Sequence, residues 1–125
     1  FTMLTPCGVP ILDLAGVNPA LVLQELDAFA AGSRWIVDAI LGVGAVGVPR
    51  PPCDTLIDWM NGEPARRLAV DVPSGLDADT GEPASPTVRA DVTATFVAPK
   101  AGFANHTVAE WLGEVRVLGI GAPSR

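Results

Sequence analysis

The sequence predicts an α/β domain in which a largely parallel sheet carries helices on its faces. Segments with helical periodicity alternate with short strand-like segments, which is the order that βαβ units produce. The strand-like segments are rich in Val, Ile and Thr without polar alternation, as is typical of strands buried on both faces. The 13 Gly and 12 Pro residues lie mostly at the edges of these segments and favour tight connections.

Composition limits the classes of partner. The 125 residues are 49% hydrophobic and 18% charged, which fits one compact globular domain. The net charge is −6 and no run of Lys or Arg occurs, so we expect neither nucleic acid nor a membrane surface as a partner. No apolar run approaches the ~20 residues of a membrane span, and the N-terminus lacks the basic start of a signal peptide. With Cys7 and Cys53 far apart and His106 the only histidine, we expect a cytoplasmic protein with reduced thiols and no Cys/His zinc site.

Two helices are predicted from their boundaries. The first has Asn18 as a cap and Pro19 at its first position, and it ends before Gly32. The second, CDTLIDWMN, follows a Pro-Pro pair and ends at Gly62. Its inward-facing residues are predicted to be Leu56, Ile57 and Met60 or Trp59.

Four strands are predicted, and the last two flank a short helical turn, TVAEWL. The four segments are RWIVDAIL, RRLAVDV, ADVTATFVA and GEVRVLGIG. In open parallel sheets, ligands bind outside the carboxyl ends of the strands. Three segments rich in polar, Gly or Pro residues follow the first three strands, and they are therefore the candidate site: DAILGVG, DVPSG and APKAG.

Asp38 and Asp71 end the first two strands. Neighbouring parallel strands lie about 4.8 Å apart, so the two carboxylates would face one small volume and repel unless a cation, a proton or a donor lies between them. The alternative is that each caps a nearby turn or helix. Ser74 adds a hydroxyl that suits a hard cation. As a nucleophile it would lack the preceding glycine of a nucleophile elbow.

Two further features remain open from the residues alone. Gly42, Gly44 and Gly47 form a glycine-rich segment that could hold a phosphate through backbone amides, or could be a plain flexible connection. Lys100 could contact a phosphate as a point charge, or could be a surface lysine. The acidic residues beyond the DVPSG turn are interpreted as a solvated turn: Asp77, Asp79 and Glu82.

Four motifs in this order resemble the NAD(P)H-hydrate epimerase family, the YjeF N-terminal-type domain. They are DAILGVG with GVPRP, LAVDVPSGLDADTG, VRADVTATFVAPKAG and GEVRVLGIG. The resemblance implies a three-layer, Rossmann-like α/β/α fold with a mostly parallel sheet. It also implies epimerisation of the R and S forms of NADHX and NADPHX, damaged nicotinamide cofactors, so that a dehydratase specific for S can regenerate them.

The resemblance also implies the site residues. A potassium ion would be held by Asp38 and Ser74, and Asp71 would contact the substrate. The substrate-binding loop would run from 42 to 48, that is Gly42, Val43, Gly44, Ala45, Val46, Gly47 and Val48. Families of this type often carry a threonine after the first glycine of the loop, where Val43 stands here, so a side-chain hydroxyl contact would be absent.

The asparagine- and glycine-rich phosphate loop of the family, G-N-N-G-G-D-G, has no counterpart in this sequence. We therefore expect residues 1–125 to be the C-terminal part of a single YjeF N-terminal-type domain, with a sheet incomplete at its N-terminal side. We expect this piece alone to be inactive. We also expect it to need its missing half, or a second copy in a homodimer, to be well ordered, because a truncated sheet exposes a strand edge.

Asp71 is the candidate catalytic residue. The substrate has a carbinolamine-like carbon whose ring nitrogen can expel the hydroxyl, and a carboxylic acid could protonate that oxygen and take a proton back from returning water. Asp71 could equally hold a ribose or an amide. The rival to an enzyme is a non-catalytic Rossmann-like module that binds nucleotides or another protein.

Overall fold

The structure, a computed structural model, describes residues 7–121, and the chain divides into two compact units, residues 1–33 and 34–125. The first unit contains helix α1, Pro19–Ala30. Its start is fixed as predicted, because the Asn18 side chain accepts a hydrogen bond of 3.0 Å from the Ala20 nitrogen. Gly32 follows the helix with a φ of 77°, where a residue without Cβ is favoured. No residue of α1 is buried.

The second unit contains a four-stranded sheet with the order β1-β2-β3-β4, in which every neighbouring pair is parallel. The strands are β1 Trp35–Asp38, β2 Arg66–Val70, β3 Val92–Phe96 and β4 Glu114–Leu118. Helix α2, Cys53–Gly62, connects β1 to β2. Two 3₁₀ turns, Ala101–Ala104 and His106–Val108, and the short helix α3, Ala109–Leu112, connect β3 to β4. The α/β class, the parallel sheet and the predicted order of elements are confirmed.

One face of the sheet is covered by the helices of this unit. Asp38, Ala69 and Thr93 lie side by side in register on this face and are at most 1% exposed. Ile36, on the same face, packs against the buried Ile57 and Met60 of α2. The α3 side is tied to this face by Thr93, whose hydroxyl donates to the Leu112 carbonyl at 2.7 Å.

The opposite face is open in the structure. Val37 is 55% exposed and Leu118 44%, and Leu68 between them is only half-buried. The prediction of strands buried on both faces is therefore wrong for this face. Within residues 34–121 the structure shows a sheet with helices on one side, and the third layer of the α/β/α arrangement stays a prediction.

The helical layer is joined to β2 by Arg67. Its Nη1 atom donates to the carbonyls of Met60 and Glu63 at the end of α2, at 3.3 and 3.0 Å. Unpaired carbonyls at a helix end need such donors. The Arg67 nitrogen also donates to Asp91 Oδ2 at 2.7 Å, just before β3 begins. Through its side chain and its backbone nitrogen, Arg67 thus joins the end of α2 and β2 to the start of β3, and the candidate site lies at the opposite, carboxyl ends of these strands.

Candidate active site

Asp38 and Ser74 meet at the carboxyl ends of β1 and β2, as the sequence predicts. Both residues are 1% exposed. The Ser74 nitrogen donates to Asp38 Oδ2 at 2.8 Å, and the Ser74 hydroxyl donates to Asp38 Oδ1 at 2.6 Å. The Ile40 nitrogen also donates to Oδ1, at 3.3 Å. The carboxylate therefore serves as a cap for two turns, which was the alternative role for Asp38.

The same cluster fixes the start of the glycine-rich loop. The Leu41 nitrogen donates to the hydroxyl oxygen of Ser74 at 2.9 Å, and Leu41 lines a cavity beside the loop. Among residues 7–121 no Lys or Arg forms an ion pair with Asp38. A buried carboxylate without a countercharge is costly unless hydrogen bonds or a cation compensate it. In this cluster the compensation comes from the hydrogen bonds of the Ser74 nitrogen, the Ser74 hydroxyl and the Ile40 nitrogen, and a cation could add to it.

Asp71 lies in an unusual backbone conformation just after β2. Its φ is 70°, and it is the only non-glycine residue with positive φ among those the structure describes. The Val72 nitrogen donates to the Val70 carbonyl at 2.9 Å across it. A bond from residue i to i+2 over a residue with this φ is a γ-turn of the rare, strained kind. Strain of this sort often accompanies functional sites.

The Asp71 carboxylate is held by three donors. Lys100 Nζ lies 2.6 Å from Oδ1, the Thr95 hydroxyl donates to Oδ1 at 3.1 Å, and the Phe96 nitrogen at 3.2 Å. Partial burial acts to raise the pKa of the Asp71 carboxyl, but these hydrogen bonds and the charge of Lys100 outweigh it and hold the pKa below 3.8. Asp71 is therefore ionised at neutral pH.

The two aspartates belong to separate hydrogen-bond clusters. Asp38 pairs with Ser74 on β1 and β2, whereas Asp71 pairs with groups at the end of β3 and with Lys100 beyond it. The two carboxylates therefore do not share one set of contacts, as was predicted. They belong to two clusters, each of which includes a residue of the segment after β2.

A cavity of about 240 Å³ lies beside these clusters. Four of the seven predicted loop residues line it, and these are Gly42, Ala45, Gly47 and Val48. The opposite wall comes from residues 72, 73, 75–77 and 82–84, including Val72, which directly follows Asp71. Asp71 itself does not line the cavity. The loop has three exposed valines, Val43 at 54%, Val46 at 87% and Val48 at 65%, which present apolar groups to solvent or to a ligand.

The acidic segment after the DVPSG turn folds back on itself. Asp77 Oδ1 accepts from the Thr80 and Asp79 nitrogens at 2.8 and 2.9 Å, and these two backbone donors lower the pKa of the Asp77 carboxyl. Asp79 and Glu82 are exposed, as expected of a solvated turn, but Asp77 and Glu82 also line the cavity. The cavity mouth is therefore acidic.

The ion pair of Lys100 with Asp71 is the contact in this site that sequence reasoning missed. The Lys100 side chain is 20% exposed and ion-paired, so neither a surface lysine nor an unengaged phosphate contact describes it. The signal was present: an acidic residue follows β2 and a lysine follows β3, its neighbour in the sheet. No group of three or more His, Cys, Asp or Glu within residues 7–121 is arranged to hold a metal ion. No helix in this range is long and apolar enough to cross a membrane.

Comparisons with known proteins identify the family. Residues 2–102 match the family described as YjeF-related protein N-terminus. The NAD(P)H-hydrate epimerase of Pirellula staleyi is 42% identical over 115 residues, 92% of this chain and 49% of that protein. The Bifunctional NAD(P)H-hydrate repair enzyme Nnr of Pyrobaculum aerophilum is 50% identical over 110 residues, 86% of this chain and 22% of that protein. The NAD(P)H-hydrate epimerase of Rhodopirellula baltica is 38% identical over 114 residues, 90% of this chain and 47% of that protein.

The chain spans about half or less of the length of these relatives. The resemblance seen in the motifs is confirmed, because the family match covers most of the chain, including all three segments at the strand ends up to Gly102. The chain belongs to the YjeF-related protein N-terminus family.

Proposed function

We propose that this chain forms part of an NAD(P)H-hydrate epimerase, which interconverts the R and S forms of NADHX and NADPHX. The family match and the names of its relatives supply the reaction class. The observation that carries the proposal is the Asp71 carboxylate, held ionised in a strained turn next to a cavity at the strand ends. A scaffold turn has no need of such strain.

The cavity beside the two clusters suits, by itself, one end of a dinucleotide, and a second, more open cavity of about 780 Å³ adjoins it along the same loop. The first cavity's volume of about 240 Å³ is smaller than the roughly 300–1,000 Å³ of sites that enclose a drug-sized ligand. The loop from Gly42 to Val48 offers backbone amides and exposed valines on one side of it. We infer that this chain contacts the end that reacts, and that other residues of the full-length protein hold the remainder.

Asp38 and Ser74 fit a potassium site. Their oxygens, with the Leu41 carbonyl 3.4 Å from the Ser74 oxygen, are the ligand type that hard cations prefer. Asp38 Oδ2 accepts one hydrogen bond and retains a lone pair for a cation. A bound cation would supply the positive charge that this buried carboxylate lacks. With a cation bound, Asp38 and Ser74 would hold the DVPSG turn at a fixed distance from the start of the glycine-rich loop.

Two roles for Asp71 follow from its ionised state. The hydroxyl would first depart with a proton drawn from solvent, while the ring nitrogen supplies the electron pair. As a proton acceptor, the ionised Asp71 carboxylate would then take a proton from the water that adds to the ring carbon and release it to solvent. As a binding residue, it would accept hydrogen bonds from a ribose hydroxyl or the carboxamide. Both roles require the Asp71 carboxylate in the position that the γ-turn gives it.

The test uses the full-length protein that contains this chain. R-NADHX is supplied with an excess of a dehydratase specific for S, and NADH formation reports epimerisation. Asp71→Asn is compared with Asp91→Asn. Asp91 is a matched control because it is also an aspartate beside a strand and also pairs with a basic residue, Arg67, but it lies at the other end of the sheet. We expect the first variant to lose at least a hundredfold in rate and the second to retain wild-type rate per folded molecule.

The outcomes separate the alternatives. Loss of turnover with normal substrate binding in Asp71→Asn assigns proton transfer to Asp71, and loss of binding assigns it the holding role. A wild-type protein that binds the substrate without epimerising it would support the non-catalytic module and refute the proposal. Because the relatives include bifunctional repair enzymes, we further propose a functional link to an NAD(P)H-hydrate dehydratase. A cytoplasmic location and a homodimer complete the proposal.

A further inference from the structure

The contacts of Asp71 are all made by one of its two carboxylate oxygens. Lys100 Nζ, the Thr95 hydroxyl and the Phe96 nitrogen all bind Oδ1, at 2.6, 3.1 and 3.2 Å. Among the side-chain and backbone hydrogen bonds within residues 7–121, none is made to Asp71 Oδ2. The Asp71 side chain is 24% exposed, so part of it is accessible to a ligand. One oxygen is therefore an anchor and the other is available.

Lys100 is itself held in place. Its Nζ donates a second hydrogen bond to the Phe96 carbonyl at 3.1 Å. The backbone after it is fixed by close packing: the Gly102 nitrogen donates to the Ala78 carbonyl at 2.8 Å, and a Cβ at Gly102 would lie 2.4 Å from the Gly81 nitrogen. The ammonium thus has a defined position and not the freedom of a surface lysine. It is also the only lysine in the sequence.

We propose that Lys100 is a positioning residue, which fixes the Asp71 carboxylate through Oδ1 so that Oδ2 alone meets the substrate. This inference rests on the proposed function for the nature of the substrate and on the contacts above for the role of Lys100. It applies whether Oδ2 exchanges a proton or accepts a hydrogen bond. An ionic partner within 3 Å limits rotation of the carboxylate, and small errors in the position of a reacting group are costly in rate.

A double-mutant cycle in the full-length protein tests the inference. The variants are Lys100→Met, which keeps an unbranched apolar stem without the ammonium group, Asp71→Asn, and both together. We expect Lys100→Met to lower kcat/KM at least tenfold in the wild-type background and less than twofold in the Asp71→Asn background, because Lys100 acts through Asp71. If turnover of Asp71→Asn is undetectable, the same cycle is measured on the Kd for R-NADHX.

Two further variants control for fold and charge. Lys100→Arg is expected to recover part of the lost kcat/KM, because a guanidinium can still donate to Oδ1. Arg116→Met removes an ion pair of the same length, 2.6 Å to Glu114, from an exposed site and is expected to leave kcat/KM unchanged. Thermal melts of all variants identify any loss that is due to unfolding.

The cycle can contradict the inference in two ways. Equal losses in both backgrounds would mean that Lys100 contacts the substrate independently, and a loss below twofold in the wild-type background would mean that it positions nothing. If the wild-type protein shows no epimerisation, the proposed function fails, and the inference is then judged by carbon-13 NMR. A pKa of the Asp71 carboxyl that is the same in Lys100→Met and wild type would overturn it.

Discussion

Glycine should replace Asp71 better than alanine does. Asp71→Gly and Asp71→Ala both remove the carboxylate and the same three contacts to Oδ1, so the two variants differ only in backbone preference. An L residue at a φ of 70° is disfavoured by roughly 1–2 kcal/mol, and glycine is not. Against this, glycine loses roughly 0.5–1 kcal/mol more chain entropy on folding than alanine. Asp71→Gly should therefore be the more stable by about 0.5–1 kcal/mol.

Asp91 provides the matched control. It accepts a hydrogen bond from the Arg67 nitrogen, and it does not have positive φ. There the order should reverse, with Asp91→Ala more stable than Asp91→Gly by roughly 0.5–1 kcal/mol. The difference between the two sites isolates the backbone strain at Asp71, about 1–2 kcal/mol.

The measurement is urea unfolding of the four variants at pH 7, with free energies compared at a shared m-value. Asp71→Ala as stable as Asp71→Gly, or more so, would show that Asp71 is not strained, and the argument from strain to function would fail. If glycine is the better residue for the fold at this position, the aspartate is retained for its carboxylate, and stability is given up for function.

Three further predictions concern the surroundings of the site. Gly102→Ala should destabilise the fold by roughly 1–3 kcal/mol in thermal melts, because its Cβ would lie 2.4 Å from a backbone nitrogen, whereas Gly44→Ala, with open space, should stay within about 0.5 kcal/mol of wild type. Asp38→Asn and Ser74→Ala should each cost about 2–3 kcal/mol in urea unfolding but less than the sum together, since they break the same buried hydrogen bonds; additive costs would contradict the pairing. The lowered pKa of Asp71 stabilises the fold above the unfolded value of 3.8, and this contribution is lost as the pH falls through the folded value. Acidification from about pH 6 to about pH 3 should thus cost wild type more stability than Asp71→Asn, and an equal cost would refute the pKa shift.

The order of elements could be predicted from the sequence because its signals are local. The cap at Asn18, the helix end at Gly62 and the Val-rich strands each depend on a few neighbouring residues. The proximity of Asp38 and Ser74 could also be predicted from the sequence. Once β1 and β2 are neighbours in a parallel sheet, their carboxyl ends must lie together.

Side-chain direction and burial depend on tertiary structure, and here the sequence was insufficient. Asp71 has a positive φ that no local motif indicates, and its carboxylate contacts the end of β3 and Lys100. Apolar strand residues such as Val37 suggest two buried faces, but only the packed structure shows which face the helices cover. A sequence pattern records what a residue prefers, and its partners depend on the rest of the fold.

The segment after β2 connects the two clusters of the site. Asp71 is anchored towards β3 by Lys100, and Ser74, three residues later, is anchored towards β1 by Asp38. Between them the backbone is constrained by the γ-turn at one end and by the buried Ser74 nitrogen bound to Asp38 at the other. A displacement of Ser74 must therefore be absorbed within this short segment or reach Asp71. Residues that would hold a cation and a residue that would meet the substrate are thus mechanically coupled, which gives a physical reason for a cation to affect a reaction in which it takes no chemical part.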